Sequence, residues 1–113
     1  MLVKGENMNC CNNISCANSV TVTATNVVLD FATVVTLTDE ERFDFRICQN
    51  VPSTGLALPV LVTVNGSTIP LLNKYGNPIT GVNLRTRKIY RGYYGASTPH
   101  VLVYNTSITC CDC

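Results

Sequence analysis

From Ser19 to Leu37 the chain reads SVTVTATNVVLDFATVVTL, a run dominated by valine and threonine in which good helix formers are scarce. Branching at Cβ restricts χ1 in a helix and suits the pleated surface of a sheet. The run therefore predicts strands. It is too long for one, so a polar break at Asn26 or Asp30 is expected to divide it.

The rest of the chain continues in short β-like pieces. TDEER (38–42) sets Thr38 and Glu41 at capping-box spacing, which predicts one helical turn or a tight loop. In RFDFRICQ (42–49), Phe43, Phe45 and Ile47 alternate with Asp44, Arg46 and Cys48, the pattern of a half-buried strand. NVPSTGLALP reads as a loop. VLVTVNGSTIPLL reads as a hairpin, because Asn65 and Gly66 both tolerate the positive φ that a type I′ turn requires. Pro70 donates no hydrogen bond and is expected at an edge or a bulge. After the turn cluster KYGNPITG, VNLRTRKIY predicts a strand, RGYYGASTP a loop and HVLVYNTSIT the last strand. About seven or eight short strands with turns roughly every 8 to 12 residues predict an all-β fold. The specific expectation is an antiparallel, jelly-roll-like β-sandwich over residues 19–113, preceded by an irregular cysteine-rich connector arm over residues 1–18.

At 113 residues the chain has the length of one domain, and its hydrophobic fraction of 46% against 13% charged leaves much of the surface to Asn, Thr and Ser. Such a surface repels its neighbours weakly. A net charge of +1 supplies no long-range field to attract nucleic acid or an anionic membrane. No apolar run approaches the roughly 20 residues of a membrane helix. With Met1 as the start, MLVKGENMNCC lacks the apolar stretch and cleavage site of a secretion signal, so leaderless cytosolic synthesis is expected.

Seven cysteines are far more than ordinary usage, and their placement matters more than their number. Cys10, Cys11 and Cys16 lie in the arm, Cys110, Cys111 and Cys113 close the chain, and Cys48 stands between. An odd number cannot pair completely within one chain. From Ser19 to Cys10 an extended arm reaches roughly 30 Å, comparable to the diameter of about 35 Å expected for such a domain. It can therefore touch a neighbouring copy, and the six terminal cysteines are read as intersubunit disulfide formers. Stapling within one chain is the competing reading. A metal is the third: CCDC offers C-x-C and CCNNISC offers C-x4-C, whereas structural zinc favours C-x2-C, so no metal or cofactor is expected. Cys48 points away from the aromatic face of its strand, as an additional thiol or a partner for an arm cysteine.

RTRKIYRGYY (85–94) gathers Arg85, Arg87, Lys88 and Arg91 with Tyr90, Tyr93 and Tyr94. Basic and aromatic residues together can hold single-stranded nucleic acid, although Tyr94 stands where the RNA-recognition signature wants Gly or Ala. The patch could instead meet Asp39, Glu40, Glu41 and Asp44 of a neighbouring copy and fix register. His100 has no carboxylate near it in sequence and no serine carries a catalytic motif, so an enzyme is not expected.

The NCCNNISC arm followed by about 90 residues of strand-like sequence resembles the small cysteine-rich subunits of bacterial endospore appendages. The resemblance implies a jelly-roll domain whose Cys-Cys connector, here Cys10 and Cys11, links subunits into fibres on the spore surface. The CCDC tail departs from that pattern and suits a spore-coat or lattice protein. Oxidation after release from a reducing mother cell would reconcile leaderless synthesis with disulfides. The expected partners are further copies of the chain, related cysteine-rich subunits or a spore-coat anchor. The alternative is a monomeric, internally stapled domain that holds an acidic ligand or single-stranded nucleic acid through residues 85–94.

Overall fold

The computed structural model describes residues 14–17, 19–31 and 37–108. Eight strands are formed: β1 (Ile14–Cys16), β2 (Ser19–Val22), β3 (Val27–Asp30), β4 (Arg42–Arg46), β5 (Val60–Val64), β6 (Ser67–Asn73), β7 (Lys88–Gly95) and β8 (His100–Ile108). Among the described residues the only helical pieces are two 3-10 turns, at Ser53–Gly55 and Gly81–Asn83. The protein is all-β, and the strands make one sheet in the order β1-β4-β7-β8-β6-β5-β3-β2.

The pairing is mixed, where the sequence predicted antiparallel strands throughout. β2/β3, β4/β7, β5/β6 and β7/β8 are antiparallel, whereas β1/β4, β3/β5 and β6/β8 are parallel. The chain shuttles between the two flanks of the sheet: β1 lies on one, β2 and β3 on the other, β4 returns, β5 and β6 cross over, and β7 returns again. A strand that comes back after a crossing can lie beside one running in its own direction, which a hairpin cannot do.

The sheet is curled over a single apolar core. Phe31, just beyond β3, lies edge-on to Phe43 at 5.0 Å and to Phe45 at 5.5 Å between ring centroids. β3 and β4 are five positions apart in the strand order, which in a flat sheet would separate them by about 24 Å. The flanks therefore face each other. Leu29, Val62, Val64, Leu71 and Val101, all fully buried, fill the space between them. The two outermost strands, β1 and β2, are joined only through Ala17 and Asn18, a connection that spans at most about 11 Å. Curling has brought the edges of the sheet together at a seam.

Local chemistry sets the turns. Asn65 and Gly66 have φ of 53° and 76°, as a type I′ hairpin demands, and the Asn65 side chain both accepts from Leu37 N–H (2.7 Å) and donates to Leu37 O (2.8 Å). The valine-rich run breaks at Asn26, whose N–H donates to Thr23 Oγ1 at 3.0 Å. Residues 32–36, where that run was expected to continue, lie outside the described residues. Thr38 and Glu41 do meet, Thr38 N–H donating to Glu41 Oε1 at 2.8 Å, but Glu40 at φ 64° makes the segment a tight turn and stops a helix.

Several expected boundaries move. β7 begins at Lys88 and includes RGYYG, so the predicted loop is a strand and most of VNLRTRKIY is the connection before it. Pro70 is inside the sheet: β6 pairs with β5 through Ser67–Pro70 and with β8 through Leu71–Asn73. A proline is tolerated there because the strand is changing partners at that point. Ile14–Cys16, placed in the irregular arm by sequence, is a strand on β4.

Replacing Phe45 with Ala should lower stability by about 3–5 kcal/mol, through lost burial and the cavity left among the rings. Thr21→Ala, on an exposed part of β2, should stay within about 0.5 kcal/mol. Urea unfolding of the two variants would show the contrast as a shift in midpoint.

Candidate functional site

Of the terminal cysteines only Cys16 is among the described residues; Cys10, Cys11, Cys110, Cys111 and Cys113 lie outside them. Cys16 ends β1 opposite Arg46 of β4, and the next residue continues the ladder, Ala17 N–H donating to Arg46 O at 3.2 Å. Cys48 follows β4 by two residues. Because Phe43, Phe45 and Ile47 all point into the core, Cys48 falls on the opposite side of its segment. There its Sγ lies 2.7 Å from Cys16 Sγ, and both side chains are half-buried. Cys16 is a free thiol. One residue further on, Gln49 Oε1 accepts from Val20 N–H of β2 at 2.9 Å. The segment 46–49 thus contacts both edge strands, and the two sulfurs sit on the seam.

The basic–aromatic stretch is divided between the core and the surface. Tyr90 is 2% exposed and stacks on Phe45 at 5.3 Å. Its hydroxyl accepts from Arg85 N–H at 2.7 Å and donates to Asn83 O at 3.1 Å. Burial pushes the Tyr90 hydroxyl above the ordinary tyrosine range, against the opposing effect of the Arg85 hydrogen bond. Tyr90 therefore cannot offer its ring to a base. Arg91 lies opposite Asp44 across β4 and β7, with Nη1 3.0 Å from Asp44 Oδ2. Arg42 approaches the same oxygen at 3.1 Å. Arg85 and Arg87 are exposed and Lys88 half-buried.

The acidic residues at 39–41 are likewise engaged within the chain. Asp39 Oδ1 accepts from Ala96 N–H at 2.8 Å, Glu41 caps Thr38, and Glu40 N–H donates to Tyr94 O at 2.7 Å. The two charged stretches expected to meet between copies thus already meet once inside each copy, through Asp44–Arg91 and through the turn against Tyr94. On the outer face a shallow groove of about 420 Å³ is lined by Glu40, Arg42, Gly92, Tyr93 and Tyr104. A β-bulge at Arg91/Gly92 shapes it, and a Cβ at Gly92 would collide with Leu102 O. His100 Nδ1–H donates to Thr98 O at 2.6 Å.

Among the described residues no group of three His, Cys, Asp or Glu side chains could hold a metal ion, and no helix is long and apolar enough to cross a membrane. No protein-family model, curated protein or solved structure matches the chain.

Sequence reasoning allowed Cys48 as a partner for an arm cysteine, but placed Cys16 on a travelling arm and not on a strand paired with β4. The available signal was the alternation in RFDFRICQ, which turns Cys48 outward. Nothing in three residues of ISC announces a strand.

Two predictions follow from these contacts. Tyr90→Phe should cost about 1–3 kcal/mol, since Arg85 N–H and Asn83 O both lose a partner. Because the folded state raises the pKa of Tyr90, its contribution is present in full below the unfolded value of about 10 and is lost as pH climbs through the folded value. The wild type should lose stability above about pH 10 more steeply than the Phe variant, as thermal melts across that range would show. For Asp44, whose side chain is 9% exposed, a double-mutant cycle with Arg91→Ala should give a coupling of about 1–3 kcal/mol, compared with the 0–1 typical of an exposed pair.

Proposed function

We propose that this chain is a non-enzymatic structural subunit that packs with copies of itself into a fibre, ring stack or lattice and is then locked by disulfides between copies. The observation that carries the reading is the arrangement of sulfur. The chain has seven cysteines, six of them near its two ends, and Cys16 is a free thiol. Seven is an odd number, so complete oxidation requires at least one bond to another chain.

The body suits that role. It carries little net charge, so copies approach without strong repulsion, and sheet edges supply unpaired N–H and C=O groups for lateral addition. Facing flanks around one aromatic core support a two-layer, jelly-roll-like reading of the curled sheet, with mixed rather than purely antiparallel pairing. The likeness of the NCCNNISC arm to endospore-appendage connectors points to a spore surface, with related cysteine-rich subunits or a coat anchor as further partners. Disulfides form last, where packing has already brought sulfurs together.

The alternative, an internally stapled monomer that binds an acidic ligand or single-stranded nucleic acid through residues 85–94, has less support. Tyr90 is in the core and Arg91 is paired with Asp44.

Boiled, unreduced protein should run as a ladder on gel electrophoresis and collapse to monomer with reductant, and electron microscopy should show regular assemblies. A monomer band alone, with mass spectrometry finding no bond between chains, would overturn the locking.

A further inference from the structure

We infer that a cleft at the end of β6 binds a carboxylate-bearing sugar of the uronic acid class, recognised by Lys74 and by the carboxamides of Asn73, Asn83 and Asn105. β6 pairs with β8 only through Leu71–Asn73 and Val101–Val103, whereas β8 runs on to Ile108. Where β6 stops, the chain turns away, Asn73 N–H donating to Asn77 O at 2.8 Å. The two segments part there and leave a cleft of about 370 Å³, within the range of roughly 300–1,000 Å³ usual for small ligands. Its floor is apolar, formed by Ile79, Val103 and the ring of Tyr90, all buried.

The carboxamides around that floor have a fixed sense. Asn73 Oδ1 accepts from the N–H groups of Tyr75 and Asn77 at 2.9 and 3.0 Å. Asn83 Oδ1 accepts from Thr80 N–H at 3.1 Å and from the Thr80 hydroxyl at 3.2 Å, and Asn105 Oδ1 accepts from Thr106 N–H at 2.8 Å. In each case the protein's own donors have taken the oxygen, which assigns the other end of the amide as NH2. The NH2 groups of all three therefore remain for whatever enters the cleft. Lys74 adds a cation to the lining. Its Nζ stands 5.4 Å from the Tyr75 ring centroid, and among the described residues no carboxylate pairs with it and no Asp or Glu lines the cleft.

Donors on several sides select a ligand that accepts, and an ammonium without an acidic partner favours one with a negative charge. The exposed rings of Tyr75 (77%) and Tyr104 (41%) stand beside those donors and offer faces on which the C–H side of a sugar ring packs. A uronic acid meets all three demands: a carboxylate for Lys74, hydroxyl and ring oxygens for the amides, and a C–H face for the tyrosines. A phosphate or a simple carboxylate leaves the rings and the apolar floor unused, and a neutral sugar leaves the ammonium unanswered. Arg85, Arg87, Lys88 and Arg91 do not line this cleft, and the site does not rest on the assembly reading.

Saturation-transfer NMR that observes the sugar serves for a monomer and for a polymer alike. Methyl galacturonate should give a saturable signal with the full-length chain, and methyl galactoside and acetate should each bind about tenfold more weakly or worse, for want of the charge in one and of the ring in the other. Asn73→Asp and Asn105→Asp each keep the oxygen that the backbone N–H groups use and turn the donor into a negative charge. Both should keep the wild-type Tm and lose about tenfold or more in affinity. Lys74 is exposed, so Lys74→Gln tests the site even where an Asp variant fails to fold: it should erase the preference for the galacturonide over the galactoside. No saturable signal from the wild type, folded Asp variants that bind as well as the wild type, or a preference left intact by Lys74→Gln would overturn the site. Acetate competing as strongly as the galacturonide would overturn the sugar as its ligand.

Discussion

The contact of Phe31 with Phe43 and Phe45 is the constraint on which the rest of the molecule depends. Eight strands in one sheet present a long apolar face, and helices are not there to cover it among the described residues. The sheet covers the face with itself. Phe31 comes from one flank, Phe43 and Phe45 from the other, and Tyr90 extends the stack to β7. Burying such rings contributes roughly 1.5–3 kcal/mol each, and edge-on packing adds to that. Once the flanks are drawn together, the edges are also near each other. That is why two residues suffice to carry the chain from β1 to β2.

The outer face follows from the same register. Phe45 stands opposite Tyr90 and the adjacent Asp44 opposite Arg91, so one pair of strands is held by stacked rings inside and by an ion pair outside. Alternation within a strand puts these pairs on opposite faces. The pairing also explains why the basic patch looks more available in sequence than in space. A positive side chain directly across from a carboxylate is used locally before any partner arrives.

Much of this was legible from residues alone, and the failures share a cause. Asn65-Gly66, Asn26 and the alternation of Phe43, Phe45 and Ile47 are signals carried by the local chain, and each appears where expected. Tyr90, Pro70 and Cys16 could not be read that way. Along β7, Tyr90 and Gly92 keep the period of two but Ile89 is buried as well, and the two glycines and the short apolar content make RGYYG look like a loop; the bulge across from Arg91/Gly92 takes its extra residue, Tyr104, from β8. Pro70 is accommodated by a change of strand partners that no local pattern encodes. Parallel pairing depends on how the chain crosses between flanks. A three-residue β1 exists because the β4 edge is there to receive it.

That short strand changes the argument about the arm. Measured from Ser19, the sequence allowed Cys10 about 30 Å of reach, enough to cross a subunit. With β1 on the sheet, the arm is anchored at Ile14, and the four residues back to Cys10 span no more than about 14 Å. If the arm bonds to another copy, as proposed, an anchor of that kind narrows the targets to sulfurs of a copy already packed against the β1–β4 edge. Docking would then have to precede bonding, and the positions of Cys10 and Cys11 would report which faces touch.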